Sequence, residues 1–208
     1  MSSSEYKTVK DRGYAEFTDK KSLFISNVFP VKTEEKAIFY LNAVKKKYSD
    51  ATHNVYAYVV RENNIQRFSD DGEPSGTAGM PVLDAIRKRG LTDMLVVVTR
   101  YFGGTLLGTG GLVHAYGKSA SLGIENACPV TRRLCHIYSV TADYSLSGKI
   151  EYSLTGSEYI IENIDYTDAV TFKVCVPFGA EERFLKEVTE VSLGSAKVEG
   201  LGERFVDI

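Results

Sequence analysis

The 208-residue sequence predicts an α+β fold built from two modules. Three observations predict it. Segments of strand and helix periodicity alternate along the whole chain. The last third runs βαββαβ, the split arrangement of ferredoxin-like domains. Charge also divides: residues 1–137 hold 19 Lys and Arg against 14 Asp and Glu, a net of +5, while residues 138–208 hold 6 against 13, a net of −7. Such a split favours two modules with different surfaces. The predicted boundary lies near Pro129 to Arg133, where a proline and two arginines follow the longest helix, which gives modules over 1–131 and 132–208.

The first module begins with "YKTVKDRGYAEFTDKKSLFISNVFPV", whose β-branched and aromatic residues predict two strands turning at Asp19-Lys20. "TEEKAIFYLNAVKKKYS" predicts a helix, with Thr33 as its cap, acids in its first turn and Ala37, Tyr40, Leu41 and Val44 on one face. "THNVYAYVVRE" and "IQRFS" predict a hairpin around Asn63-Asn64, since asparagine tolerates the left-handed backbone of a tight turn. After the loop "DDGEPSGTAG", "MPVLDAIRKRG" predicts a second helix, with Pro81 in its first turn and Gly90 at its end. "DMLVVVTRYF" is apolar without alternation, as in a strand covered on both faces. "GGLVHAYGKSASLGIENA" predicts a long helix whose Ala, Gly and Ser residues let it lie close to its neighbours.

In the second module "LCHIYSVTADY" predicts a strand and "SLSGKIEYSLTG" a helix. "EYIIENIDYT" and "AVTFKVCVPF" predict a strand pair, "AEERFLKEVTEVSLG" a helix and "AKVEGLGERFVDI" the last strand.

A hydrophobic fraction of 43% and a charged fraction of 25% describe an ordinary folded chain with enough apolar surface for a core. No apolar run approaches the roughly 18 residues of a membrane span, and the start has no apolar secretory segment, so a cytoplasmic protein with no membrane partner is expected. Cys128, Cys135 and Cys175 form no C-x-x-C pair and are expected to be reduced core thiols. Neither module is basic enough for charge alone to specify nucleic acid.

Chemistry concentrates in two stretches. Gly103, Gly104, Gly108, Gly110 and Gly111 lie between a strand and a helix, where free N–H groups and the helix dipole favour an anion. The spacing is neither the P-loop nor the dinucleotide fingerprint, and Lys118 lies too far along the helix to serve as a Walker lysine. The competing reading is that these glycines permit positive φ and close packing. Arg100, Tyr101 and Phe102 end the buried strand at this loop. They suit phosphate clamping, base stacking or a protein anchor, or else Arg100 pairs with Asp70, Asp71 or Glu73.

The second stretch, "FSDDGEPSGTAG", brings together Asp70, Asp71 and Glu73, an oxygen set able to hold Mg²⁺ or Ca²⁺. Its spacing is not that of an EF-hand, and turn chemistry explains it better, with Ser75 or Thr77 capping the next helix. No metal or other cofactor is therefore expected. His53, His114 and His136 are scattered, and there is no G-x-S-x-G elbow, so no catalytic set is assigned.

Residues 68–120, "FSDDGEPSGTAGMPVLDAIRKRGLTDMLVVVTRYFGGTLLGTGGLVHAYGKSA", closely resemble the YigZ/IMPACT family in its two-domain bacterial form, and the likeness spans the chain. The resemblance implies a first domain like the second domain of a small-subunit ribosomal protein, a shape shared with domain IV of elongation factor G and GHMP kinases. It also implies a second domain similar to elongation factor G domains III and V. Eukaryotic relatives in that family regulate translation initiation and begin with an RWD domain, which is not expected in the two-domain bacterial layout. The charge split together with the resemblance leads to the expectation of a non-catalytic regulator of translation whose partner is a ribosome, an RNA or a translation-associated protein. Its contact residues would be Arg100, Tyr101, Phe102, the five glycines and the Asp70 to Thr77 loop. The alternative is a phosphate- or nucleotide-handling enzyme using the same loop with a metal.

Overall fold

The computed structural model describes residues 4–208. They form two compact units, Tyr6–Thr131 and residues 4–5 with Arg132–Ile208. In chain order the elements are β1 (Glu5–Val9), β2 (Gly13–Asp19), β3 (Ser22–Pro30), α1 (Glu34–Lys47), β4 (His53–Val60), β5 (Ile65–Ser69), α2 (Gly79–Arg87), β6 (Met94–Tyr101), α3 (Gly108–Asn126), β7 (Pro129–Ala142), α4 (Tyr144–Thr155), β8 (Ile160–Tyr166), β9 (Val170–Pro177), α5 (Glu181–Val191) and β10 (Lys197–Asp207).

The larger unit is an antiparallel sheet in the order β2-β3-β6-β4-β5. Strand β6 sits at its centre, and Met94 to Val98 are all fully buried, which is why this strand reads as an unbroken apolar run. Alternation sends Met94, Val96 and Val98 into the core beneath α2 and α3, and Leu95 and Val97 into the core beneath α1. Helix α1 starts as expected, the Thr33 hydroxyl accepting from the Lys36 N–H at 3.3 Å. The β4–β5 hairpin turns through Asn63 and Asn64 at φ of 58° and 51°.

Two expectations need correction. The first 31 residues hold three strands among the described residues, because Lys10 to Arg12 interrupt what reads as one extended stretch. The amides of Lys10 and Asp11 donate to the carbonyls of Cys128 and Ala127 there, which turns the chain away from a strand ladder. The next turn falls where it is expected, directly after Asp19, with Lys20 and Lys21 both at positive φ. Of the cysteines, Cys135 and Cys175 are buried but Cys128 is exposed. Burial, reinforced by Glu162, pushes the Cys175 thiol up to about 12.

Helix α3 approaches the sheet more closely than side chains would allow. A Cβ on Gly123 would lie 2.2 Å from Ser26 Oγ, and one on Gly13 would lie 2.1 Å from the Gly123 carbonyl oxygen. Backbone and hydroxyl therefore occupy the space a methyl would need, and the small residues of α3 serve this contact. The smaller unit pairs β10-β7-β9-β8, all antiparallel, the strand order of a ferredoxin-like fold. Its core joins Phe172, Val174 and Val176 of the sheet to Ile150 and Leu154 of α4 and Phe184 and Val188 of α5.

Gly123→Ala should therefore lose about 1–3 kcal/mol in urea unfolding through overpacking. Gly110→Ala, whose Cβ meets open space within the first turn of α3, should be neutral or slightly stabilising.

Candidate functional site

The end of β6, the loop after β5 and the start of α3 converge in the larger unit on a hollow of about 450 Å³. At its floor Arg100 Nη1 donates to Glu73 Oε1 at 2.6 Å, and both side chains are almost wholly buried. The Tyr116 hydroxyl donates to the same oxygen at 2.7 Å. Burial first, and then Glu73, drives the Tyr116 phenol far above its ordinary range, so it stays a donor at every accessible pH. Arg100 Nη2 also reaches Ser22 Oγ at 3.3 Å, and its Nε is buried with no hydrogen-bond partner among the described residues.

His53 stands opposite Arg100 in the β4–β6 register. Its Nδ1 lies 2.8 Å from the Asp71 carbonyl oxygen, which can only accept, so Nδ1 carries a proton. The other nitrogen, Nε2, lies 3.8 Å from Glu73 Oε1. A main-chain carbonyl thus sets the orientation of a histidine whose free edge lines the hollow.

The three carboxylates of the preceding loop point in different directions. Asp70 accepts from the N–H groups of Gly76, Ala78 and Gly79 and so caps α2 from a distance. Asp71 accepts from the Asn54 N–H at 2.6 Å and pairs with Lys45 at 2.9 Å, while Glu73 faces Arg100. Burial raises the Asp70 carboxyl, but the three amides outweigh it and hold the group below its ordinary value; Asp71 is lowered in the same way by Asn54 and Lys45. Among the described residues no group of three His, Cys, Asp or Glu is arranged to hold a metal ion. The expected hydroxyl caps are not made. Ser75 is exposed, and the Thr77 hydroxyl donates to the Pro74 carbonyl.

At the rim, Phe102 and Leu106 are exposed, Gly108 and Thr109 open α3, and no side chain caps the helix at Leu107. The Phe102 ring centroid lies 5.5 Å from the Arg100 guanidinium carbon. Tyr101 is carried to the other face of the sheet, where its hydroxyl donates to Asp50 at 2.8 Å. Of the glycines, Gly103 is closed in, because its Cβ would meet the Lys21 carbonyl at 2.0 Å and its N–H donates to Ser22 Oγ. Gly104 and Gly108 have positive φ and open surroundings, Gly110 is exposed, and Gly111 packs on Leu107.

The structure therefore joins Arg100, Phe102, Glu73 and Gly108 in one hollow. It leaves Tyr101, Asp70 and Thr77 in supporting positions elsewhere. His53, Tyr116, Ser22 and the rim residue Leu106 were not legible as site residues. Strand register carries the first, and the inward stripe of α3 that contains Leu112 and Ala115 carries the second.

Comparison with known proteins matches residues 20–124 to the Impact N-terminal domain and residues 140–195 to a domain of unknown function, DUF1949. The IMPACT family member YvyE of Bacillus subtilis is 44% identical over 194 residues, covering 93% of this chain and 89% of that one. The IMPACT family member YigZ of Escherichia coli is 33% identical, covering 88% and 92%. Protein IMPACT of Oryctolagus cuniculus is 34% identical over 52% of this chain and 35% of its own length. A crystal structure described as that of a hypothetical protein superposes with a TM-score of 0.60 at 30% identity, covering 93% of this chain and 96% of that one.

Because Asp70 and Asp71 sit below their ordinary values, the stability they contribute is whole above about pH 4 and is lost as pH falls through their folded values. The melting temperature should fall progressively as pH drops below about 4. Asp70→Asn should cost about 1 kcal/mol at pH 7, as other lost caps do, and should make that fall shallower.

Proposed function

The chain belongs to the IMPACT family, and from that premise we propose that it is a non-catalytic, translation-associated binding protein that seats its partner in the hollow at the head of α3. One observation carries the reading: the Arg100 guanidinium at the floor is already neutralised by Glu73, while the rim presents exposed Phe102 and Leu106. A buried ion pair offers no net charge to a phosphate backbone. An aromatic and a leucine beside open amides suit a protein segment with an apolar anchor and a carbonyl or carboxylate next to it. The first 137 residues, with their net charge of +5, favour the anionic surroundings of a ribosome. The ribosomal-protein-like shape that the sequence resemblance implies supports the same setting.

A second reading is favoured by the uncapped start of α3, which suits a nucleotide phosphate. The metal half of that reading lacks its ligand set among the described residues.

In sedimentation through sucrose at low salt, the wild-type chain should travel with ribosomes, and Leu106→Asp or Phe102→Ala should reduce the bound fraction at least about fivefold while leaving the melting temperature in place. Unchanged co-sedimentation of both variants would remove the hollow as the contact. A rise in melting temperature with nucleotide and Mg²⁺ would favour the second reading.

A further inference from the structure

A second hollow, of about 520 Å³, lies in the larger unit between α1, the edge strand β2 and its neighbour β3. It has no part in the site above. The rings of Phe29 and Tyr40 stack in its wall, with centroids 4.6 Å apart and planes within 6°. The Arg12 guanidinium lies over both rings, at 5.6 Å and 5.1 Å, and donates to the Tyr40 hydroxyl. Phe39 leans edge-on against Tyr40 yet is 62% exposed, and Tyr14 is 48% exposed. Asn27, opposite Tyr14 in the β2–β3 register, lines the hollow, and its Nδ2 is buried with no partner among the described residues.

This combination is unusual for a patch that only completes a core. Phe39 gains only part of its burial energy while so much of it stays in water, and leaving a buried amide donor unpaired is costly. The charge around the hollow is positive. Arg12 and Lys47 line it, Lys36 sits over the Phe39 ring and Lys46 adds to the last turn of α1. The nearby carboxylates are Glu16, which accepts from the Tyr14 hydroxyl, and Glu35, one turn before Phe39.

We propose that this hollow binds an unpaired base of a single-stranded nucleic acid, stacked on Phe39 against the Arg12 and Tyr40 pair. Exposed rings beside cations are the recurrent platform for single strands, because every base has a π-face and the flanking phosphates meet lysines. A base carbonyl is the acceptor that the Asn27 amide lacks. A neutral protein segment would use the rings but leave the surplus of cations unanswered. Duplex nucleic acid cannot enter, since its bases are already stacked.

The test is fluorescence anisotropy of the full chain with a fluorescein-labelled 12-nucleotide polyuridine strand, against a 12-base-pair duplex, at two salt concentrations. The single strand should bind more tightly than the duplex, and more weakly at higher salt. Phe39→Ala should weaken it about 5- to 50-fold, the range expected for loss of one stacked base, whereas Phe39→Tyr should keep it. Circular dichroism checks that each variant is folded, which the exposure of Phe39 makes the expected result. Leu106→Asp should bind the strand like wild type, so failure of the first hollow and failure of this one are told apart. Binding by Phe39→Ala within twofold of wild type, or no preference over the duplex, would overturn the proposal.

Discussion

The carboxylate of Glu73, buried between the Arg100 guanidinium and the Tyr116 hydroxyl, is the interaction on which the larger unit's site depends. It ties together three elements distant in sequence: the loop after β5, the end of the central strand β6 and the third turn of α3. Each group would be expensive to bury alone. A carboxylate or guanidinium without a partner in a dry interior costs several kcal/mol, whereas here charge meets charge and a phenol fills a further lone pair. The loop that carries Glu73 is held independently, since Asp70 caps α2 and Asp71 binds Asn54, Lys45 and, through its carbonyl, His53. Loop and site are thus fixed by the same short run of acids, each with a different task.

That arrangement decides what the hollow offers a partner. Its floor is polar but neutral, its histidine is oriented by a carbonyl, and its apolar groups stand at the mouth. In the proposed function, recognition rests on shape, on exposed rings and on main-chain amides rather than on long-range attraction. The other face of the same sheet has the opposite character, with cations around stacked rings and an unpaired amide. One antiparallel sheet therefore presents two surfaces of different chemistry, one on each side, set by the alternation of its strands. Tyr101 shows this most directly: it is adjacent to Arg100 and Phe102 in sequence, yet it packs on the α1 side.

Much of the fold was legible because local and tertiary signals agree. The buried run of β6, the Thr33 cap, the Asn63-Asn64 turn and the βαββαβ order each have one physical cause that the residues state. The break at Lys10 to Arg12 was not legible, since the amides there are satisfied by Ala127 and Cys128 far along the chain. The ion pair of Arg100 was one of several readings, and only the fold could choose Glu73 over its two neighbours. His53 and Tyr116 escaped because a lone histidine on a strand and a tyrosine on a glycine-rich helix carry no spacing signature. Their meeting is a matter of strand register and helix docking.

The most direct test of this account is a double-mutant cycle on Arg100 and Glu73, using Arg100→Met, Glu73→Gln and the pair, read by urea unfolding at pH 7. Each single change should cost about 3–5 kcal/mol by stranding its buried partner, and the pair should cost less than the sum, with a coupling of about 1–3 kcal/mol. Single losses near zero, or losses that add within about 0.5 kcal/mol, would contradict a site organised around this carboxylate.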